Sequence, residues 1–405
     1  MVSCFGALLA FRSSAACASS STITLELPSA RKLSMGIYES TSGRLLRTLL
    51  RSDHLEAGTH EILWDGLDDF GNPVPDGSYE WRSISAPGFK ARYLTTIGVN
   101  PPGGAKETPN QSWVGDHNGV GLVDVDESGV YVGAPITEGG RMAMKLDSAM
   151  SKVEWGRPQF YQGGRLTRLA TSGRHLFLIH PTGKLRRLNS STGEVEKEWD
   201  VRWEDTHPVD LDASGDHLVL VYQEKNTLRW LSAKDGRVLD EQLLDNPVRA
   251  CLLGADASTL VASGNTIFQT VPGTMPKKKA DLNGQIVAMD YDPTRKELWV
   301  VLNRYQIVRL DQQFKAVQTY GKAPRPDGTF RPEKFNGLHD IAADLKGGCY
   351  VAEPTHAPRR LVHLGRDGSI KGQWFGGMSF YVHGCFDPED PSLLYGIAPE
   401  GSVNV

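Results

Sequence analysis

A repeat of about 43 residues constrains the fold of this chain more than any other feature. Its unit is an apolar strand, a turn usually built on Asp with Gly or Ser, a second strand, a loop, a third strand and another turn. From Asp126 to Asp387 the first turn recurs over six intervals that span 261 positions. This period is the length of one four-stranded propeller blade. Helix-pair solenoids have similar periods, but the glycine-based turns leave no amphipathic stretch long enough for a helix. The first turns are Asp126-Glu127-Ser128-Gly129, Thr171-Ser172-Gly173, Asp212-Ala213-Ser214-Gly215, Asp256-Ala257-Ser258, Asp292-Pro293-Thr294, Asp344-Leu345-Lys346-Gly347 and Asp387-Pro388-Glu389-Asp390.

A second turn recurs at the far end of the unit, as "STGEV" from Ser191, "KDGRV" from Lys234 and "RDGSI" from Arg366. We expect it to join the two outer strands of each blade. The repeat predicts a β-propeller over residues 118–405 with six or seven blades, seven being preferred. Its last unit is incomplete, so a strand from the preceding linker, residues 91–117, is expected to close the ring, because an open ring leaves unpaired strand edges. A longer protein, of which this chain is a fragment, is the alternative.

One repeat has a family likeness. The run from Asp327 to Ile370 contains an incoming glycine and Phe330, an inner strand that reaches Asp344, the strand "YVAE" and a closing Asp-Gly turn. This unit resembles an NHL-type propeller repeat, and the other units resemble it loosely. The resemblance implies a binding scaffold more often than a catalyst.

Residues 21–90 show a different pattern. Apolar residues alternate with polar ones along Ile23–Leu27 and Leu33–Ile37 and again at Tyr79 and Trp81, which indicates strands with one buried face. Glycines punctuate these runs like hairpin turns. A domain of this size with several short strands is most simply a β-sandwich. The predicted fold class is therefore all-β: a small sandwich followed by a propeller.

The stretch Gly43–Tyr79 carries a second resemblance. A glycine-led strand rich in Arg and Leu precedes "AGTH", a strand that ends in Trp64-Asp65-Gly66, and "PDGSY" at the last strand. It resembles the immunoglobulin-like domain of the flagellar hook-capping family (FlgD-like). The resemblance implies an accessory sandwich of the kind appended to exported bacterial proteins. The aspartates between Trp64 and Tyr79 suit tight turns, whereas their spacing does not fit an EF-hand calcium loop.

Composition excludes several classes. The net charge of −4 gives no electrostatic case for nucleic acid, and the run Lys277-Lys278-Lys279 suits a solvated turn. Five cysteines without CxxC spacing argue against zinc. No cofactor is predicted, with a divalent metal as the alternative. No apolar run is long enough to span a membrane.

The first 20 residues are a candidate export signal. A short apolar run reaches Phe11, and Ala16-Cys17-Ala18 fits a small-residue cleavage site. No basic residue precedes the apolar run, which departs from the usual signal. We expect an extracytoplasmic location: periplasmic, secreted or at the cell surface.

In a propeller, residues just before each inner strand converge on the mouth of the central channel. Aligning the repeats on their first turns places three histidines and two arginines near that position, with further polar residues beside them. Such a pocket could bind a carboxylate, a phosphate or a sugar. The alternative is that these side chains are solvated loop residues that bond to neighbouring backbone and bind no ligand. The predicted ligand-binding residues are Arg165, His207, Arg249, His339, Asp340, His383 and His117.

The predicted function is non-catalytic binding of a polar or anionic ligand, a glycan or a protein at this mouth. The alternative is a propeller hydrolase or lyase, with or without a metal, that uses a His/Asp pair such as His339 and Asp340. No catalytic motif of the G-x-S-x-G, H-E-x-x-H or P-loop type is present. The catalytic residues, the ligand and the partner are therefore left open by the sequence.

Overall fold

The computed structural model describes residues 3–10, 20–86, 96–97, 103, 113–115, 119–137, 140–157, 165–323, 331–354, 359–376, 383–390, 392–397 and 403–404. The chain forms two compact units, Met1–Arg92 and Tyr93–Val405. Apart from one short 3₁₀ turn, Gln223–Lys225, all regular structure in the described residues is β-strand. No described helix is long and apolar enough to cross a membrane.

The first unit is a β-sandwich, as the alternating pattern predicts. One sheet has the strand order β1-β6-β3-β4, and β2 pairs with β5 in the other. Residues Ile23, Leu25 and Leu27 of one sheet and Leu33 of the other are buried in a shared core with Trp64. Its strands are β1 (Ser3–Ala10), β2 (Ser21–Leu27), β3 (Arg31–Glu39), β4 (Leu45–Leu55), β5 (Gly58–Trp64) and β6 (Ser78–Ala86).

Strand β1 comes from the segment predicted as an export signal. It pairs antiparallel with β6 from Ser3↔Ser85 to Ala10↔Ser78. The predicted cleavage site around Cys17 lies outside the described residues.

The aspartates of the loop between β5 and β6 act as turn residues. Asp65 Oδ1 accepts the N–H of Leu67 at 3.1 Å, and Asp68 Oδ1 accepts the N–H groups of Phe70 at 2.9 Å and Asn72 at 2.8 Å. These carboxylates replace backbone partners that a tight loop cannot supply, which is why the loop is rich in Asp.

The described residues of the second unit form seven four-stranded antiparallel sheets. Six are built from consecutive strands and are numbered here as blades 1 to 6. The strands are β7 (Thr96–Ile97); blade 1, β8 (Leu122–Asp126), β9 (Gly129–Gly133), β10 (Ala143–Leu146) and β11 (Val153–Arg157); blade 2, β12 (Arg168–Ser172), β13 (His175–Ile179), β14 (Lys184–Asn189) and β15 (Val195–Asp200); blade 3, β16 (Asp210–Ser214), β17 (His217–Tyr222), β18 (Thr227–Ser232) and β19 (Val238–Leu243); blade 4, β20 (Pro247–Leu252), β21 (Thr259–Ser263), β22 (Thr266–Thr270) and β23 (Lys277–Asp281); blade 5, β24 (Ile286–Asp292), β25 (Glu297–Leu302), β26 (Gln306–Leu310) and β27 (Ala316–Tyr320); blade 6, β28 (Asp340–Ala343), β29 (Cys349–Glu353), β30 (Arg360–Leu364) and β31 (Ile370–Phe375); and finally β32 (His383–Phe386), β33 (Leu394–Ile397) and β34 (Val403–Asn404).

The blades form a propeller: they pack against one another in sequence, and blade 6 packs against blade 1. The first strand of each blade packs against that of the next, and β28 of blade 6 packs against β8 of blade 1. Blades 6 and 1 share one core, in which Val123 and Val132 meet Ala352 and Leu361. Trp113 is fully buried in this core and donates from Nε1 to the carbonyl of Phe375 at 2.9 Å. The cycle therefore has six blades.

The seventh sheet lies outside this cycle. The segment predicted to close the ring does supply a strand, since β7 pairs with β34 through Ile97↔Val403 and Thr96↔Asn404. The sheet it completes, β32-β33-β34-β7, exposes Gly384, Cys385 and Phe386 of its first strand. The inner strand β28 of blade 6 is fully buried, whereas these three residues of β32 are exposed, so β32 does not pack between blades as that inner strand does.

The repeated second turn positions an inter-blade contact. Gly193, Gly236 and Gly368 have φ of +67°, +74° and +80°, a conformation that favours glycine. A Cβ at Gly236 would stand 2.7 Å from the ring of Trp199 in the preceding blade. The turn needs glycine both for its backbone conformation and for the close approach of that ring.

Candidate functional site

Charged side chains converge where the inner strands of blades 2, 3, 4 and 6 begin. We call Arg168, Asp210, Arg249, His339 and Asp340 the mouth cluster. Arg168, Asp210 and Asp340 are the first residues of β12, β16 and β28, and His339 directly precedes β28. Because every inner strand starts at the same end of a propeller, residues that lie far apart in sequence meet there.

One ion pair anchors the cluster. Arg168 Nε lies 2.6 Å from Asp210 Oδ1, and only 6% of each side chain is exposed. The second oxygen, Asp210 Oδ2, accepts the N–H of Ala250 from blade 4 at 2.8 Å. Asp210 therefore links blades 2, 3 and 4, with one hydrogen bond at each carboxylate oxygen.

Arg249 is the group whose charge is least compensated. Its Nη1 donates to the carbonyl of Val248 at 2.6 Å, whereas its buried Nε has no hydrogen-bond partner among the described residues. Asp210 Oδ1 is 3.9 Å away and is already bonded to Arg168. Burial and the charge of Arg168 lower the pKa of Arg249 to about 10, which leaves it protonated at neutral pH. A ligand oxygen would supply the missing acceptor.

His339 contributes an acceptor. Its Nδ1 lies 2.8 Å from the carbonyl oxygen of Gly121, so Nδ1 carries the proton and Nε2 holds a lone pair. Burial and the nearby Arg168 lower the pKa of His339 to about 3, so the ring is neutral at physiological pH. Arg304, which is exposed, lies close enough to lower this pKa further.

Asp340 joins the site to the closure of the ring. Its Oδ2 accepts the N–H of Val123 in blade 1 at 3.1 Å. Burial raises the pKa of Asp340 to about 6, and the charge of Arg168 opposes that rise. The contacts of His339 and Asp340 with blade 1 therefore exist only because blade 6 packs against blade 1.

A second tier of charge lies two residues further along the inner strands of alternate blades. Asp124, Asp212 and Asp290 belong to blades 1, 3 and 5, and we call them the carboxylate tier. Each accepts a backbone N–H from the following blade through Oδ2: from Thr171 at 2.5 Å, from Leu252 at 2.6 Å and from Ala343 at 2.7 Å. Equivalent bonds in three places fix the register between successive blades.

The carboxylates of this tier repel one another. Burial, followed by the charge of Asp124, raises the pKa of Asp212 to about 8. Burial and a neighbouring carboxylate of the tier raise the pKa of Asp124 and Asp290 as well. All three are only half-buried, so water reaches them. Within the described residues no group of three His, Cys, Asp or Glu side chains is arranged to hold a metal ion.

The predicted site residues divide into three groups. The structure brings Arg249, His339 and Asp340 together. Arg165 is exposed and acts instead on His180, whose pKa it helps to lower, and His207 is exposed three residues before β16. His383 begins β32, but its side chain lies outside the described residues, as does all of His117.

Sequence reasoning missed Arg168, Asp210 and the carboxylate tier. Asp212 was assigned to the first turn of its repeat, but it lies inside β16. A signal was available: the inner strands of blades 1, 3 and 5 contain Asp-x-Asp at Asp124, Asp210 and Asp290. Aspartate is disfavoured in strands, so its recurrence at alternating strand positions indicates a role other than a turn.

Comparison with protein families identifies the first unit. Residues 13–83 match the family model of the FlgD Ig-like domain, which agrees with the sandwich fold and with the predicted resemblance. No curated protein matches the chain.

Among solved structures the chain is similar to β-propellers at low identity. The Cps50 (Swd1) β-propeller domain of Myceliophteria thermophila is 11% identical with a TM-score of 0.43, covering 58% of this chain and 93% of that one. The computationally designed Ika8 protein is 12% identical with a TM-score of 0.43, covering 72% and 96%. BamB from Moraxella catarrhalis is 12% identical with a TM-score of 0.39, covering 77% and 96%.

Proposed function

We propose that this protein is a non-catalytic binding protein that holds a small anionic ligand at the mouth cluster. The observation that carries the proposal is Arg249: a protonated guanidinium whose buried Nε has no hydrogen-bond partner among the described residues, and whose neighbouring carboxylate oxygen, Asp210 Oδ1 at 3.9 Å, is already bonded to Arg168. A buried donor without an acceptor is costly, and an anionic ligand would remove that cost.

The protonation state of His339 favours binding over catalysis. A general base works best when its pKa lies near the working pH. The pKa of His339, about 3, makes Nε2 a poor base but a fixed hydrogen-bond acceptor. Asp340 has a pKa nearer neutrality, about 6, but its carboxylate is bonded to the backbone of blade 1. A ligand with an anionic group next to a hydroxyl or amine donor would use both Arg249 and His339.

Titration calorimetry with a panel of small carboxylates, sugar acids and inorganic phosphate tests the proposal. Arg249→Gln removes the charge and shortens the side chain while keeping a polar amide, and we expect it to weaken anion binding by about tenfold or more. Arg165→Gln is the matched control, because Arg165 is exposed and lies outside the cluster. Equal losses in the two variants, or binding unchanged by Arg249→Gln, would refute the proposal.

We also propose that the protein works outside the cytoplasm of a bacterial cell. The match to the FlgD Ig-like domain supports this location. Cell fractionation with an antibody against the propeller unit tests it, and recovery of the protein in the cytoplasmic fraction alone would contradict it.

A further inference from the structure

The turn between β25 and β26 of blade 5 lies next to the mouth cluster and contains an arginine. The carbonyl oxygen of Arg304 accepts the N–H groups of Gly337 at 3.1 Å and of Leu338 at 2.9 Å. Leu338 directly precedes His339, so these two bonds fasten the turn to the segment that carries the histidine of the cluster. The backbone of Arg304 is therefore a neighbour of His339 across the junction between blades 5 and 6.

The same turn is also fixed to the start of blade 5. Asn303 donates its N–H to the carbonyl of Gln285 at 2.9 Å, and Asn303 Oδ1 accepts the N–H of Gln285 at 3.0 Å. Gln285 directly precedes β24, at the end of the propeller where the inner strands begin. Bonds on both sides thus hold the turn at the mouth.

Arg304 has a backbone conformation that does not suit an arginine. Its φ is +63°, in the left-handed region that favours Gly or Asn. In the corresponding turn of blade 4 the left-handed residue is Gly264, at φ +61°, and its carbonyl likewise accepts an N–H from the next blade, that of Ile286 at 3.1 Å. A glycine can therefore perform the backbone role of Arg304 without the steric cost, so the turn itself does not explain the guanidinium. Residues held in sparsely populated conformations concentrate at functional sites.

The charge of Arg304 is available to the mouth cluster. The residue is exposed, and no carboxylate among the described residues forms an ion pair with it. After burial and the charge of Arg168, the charge of Arg304 adds to the lowering of the pKa of both Arg249 and His339. Coulombic effects fall with distance, so this influence on both groups agrees with the position of the turn. Because His339 is neutral, Arg249 and Arg304 are the two cations of the mouth that lack a carboxylate of their own.

We infer that Arg304 determines the charge specificity of the mouth cluster and that the ligand is a small dicarboxylate. One carboxylate binds Arg249 in the buried part of the site, and the other binds Arg304 at its exposed edge. This inference rests on the proposed function, because it assigns a second contact to the same ligand. Arginine suits both contacts, since its planar guanidinium binds a carboxylate through two parallel hydrogen bonds. A ligand with a single negative charge would leave one of the two cations uncompensated.

Dicarboxylates and their half-amides test the inference on the full chain by titration calorimetry at neutral pH and low salt. The probes are malonate, succinate and glutarate, each beside its half-amide, which has nearly the same size and one negative charge fewer. We expect at least one dicarboxylate to bind about tenfold or more tightly than its half-amide, the factor expected of one additional hydrogen-bonded charge pair. Equal affinity within every pair, or tighter binding of inorganic phosphate than of all three dicarboxylates, would overturn the inference. The wild-type series is decisive even where a substitution impairs folding.

Two variants assign the preference to its residue. Arg304→Asn removes the charge but suits the left-handed conformation of the turn. It should abolish the preference for the dicarboxylate while the half-amide binds as it does to the wild type. Loss of both ligands would mean that Arg304 acts through the fold, and the inference would be wrong. Arg165→Gln removes another exposed arginine, before β12 of blade 2, and should leave the preference intact.

Failure of this inference differs from failure of the proposed function. If Arg249→Gln weakens both members of a pair and Arg304→Asn changes neither, the dicarboxylate inference is overturned and the proposed function stands. If no anion responds to Arg249→Gln, the proposed function falls and the inference falls with it.

Discussion

Trp113→Ala should open the ring at its closure. Trp113 is fully buried between blades 6 and 1 and donates one hydrogen bond to Phe375. Emptying a buried tryptophan site costs about 3–5 kcal/mol, and the lost indole hydrogen bond adds on the order of 1 kcal/mol. For a unit of this size we expect the melting temperature to fall by roughly 5–10 °C.

Trp230→Ala is the matched control for this change. Trp230 is equally buried, packs against residues of the next blade and donates from Nε1 to Thr259 Oγ1 at 2.9 Å. Both variants create the same cavity chemistry, so urea unfolding followed by far-ultraviolet circular dichroism compares the closure with an ordinary interface between blades 3 and 4. We expect the free energy of unfolding to fall by similar amounts in the two variants.

Closure between blades 6 and 1 has a second consequence, at the ligand site. Val123 and Gly121 bond to Asp340 and His339 across the same junction. Trp113→Ala should therefore weaken anion binding, whereas Trp230→Ala should leave it largely unchanged. Suppose that Trp113→Ala lowers the free energy of unfolding by less than about 1 kcal/mol, whereas Trp230→Ala lowers it by several kcal/mol. That result would show that the ring does not close between blades 6 and 1.

Three further outcomes follow from the same geometry. A chain that ends at Gly376 lacks the seventh sheet but keeps the six-blade cycle, so its melting temperature should stay within a few degrees of the full chain, and loss of cooperative unfolding would contradict this. Because the folded-state pKa of Asp212, about 8, exceeds the ordinary value near 3.9, the native state holds an extra proton between these limits. The free energy of unfolding should therefore fall as pH rises toward 8, and Asp212→Asn should flatten that slope in urea titrations at pH 5 to 9. Gly236→Ala, at φ +74° with a Cβ 2.7 Å from Trp199, should destabilise the protein by about 1–3 kcal/mol more than Gly264→Ala, which has φ +61° and open space, and equal losses in thermal melts would refute the steric argument.

Local turn chemistry made most of the fold predictable. Asp126, Asp292 and Asp344 accept backbone N–H groups two and three or four residues ahead, which is how an aspartate ends one strand and starts the next. The alternation along β2 and β3 likewise predicts their buried faces correctly. Signals of this kind depend on residues close together in the chain.

The number of blades in the cycle depends on contacts between residues far apart in the sequence, which no local sequence motif predicts. The seventh unit has a first turn like the others, with Asp387 Oδ1 accepting the N–H groups of Glu389 at 2.8 Å and Asp390 at 3.0 Å. The seventh unit is excluded from the cycle because Trp113 and Val123 contact residues of blade 6 that lie more than two hundred positions away in the sequence. A turn motif reports that a hairpin forms, but it does not report which sheet that hairpin packs against.

The charged residues of the site were hard to predict because they serve the fold and the channel at once. Each carboxylate of the tier accepts an N–H from the next blade. The same partly exposed strand position therefore also joins two blades by a hydrogen bond. An apolar residue at Asp212 would leave the N–H of Leu252 without a partner, which costs about 1–3 kcal/mol if that group stays buried. A lysine there would supply no acceptor at all. The requirement for a short acceptor on alternate blades therefore places ionisable carboxyl groups on the inner strands, two residues beyond the mouth cluster in the case of Asp212.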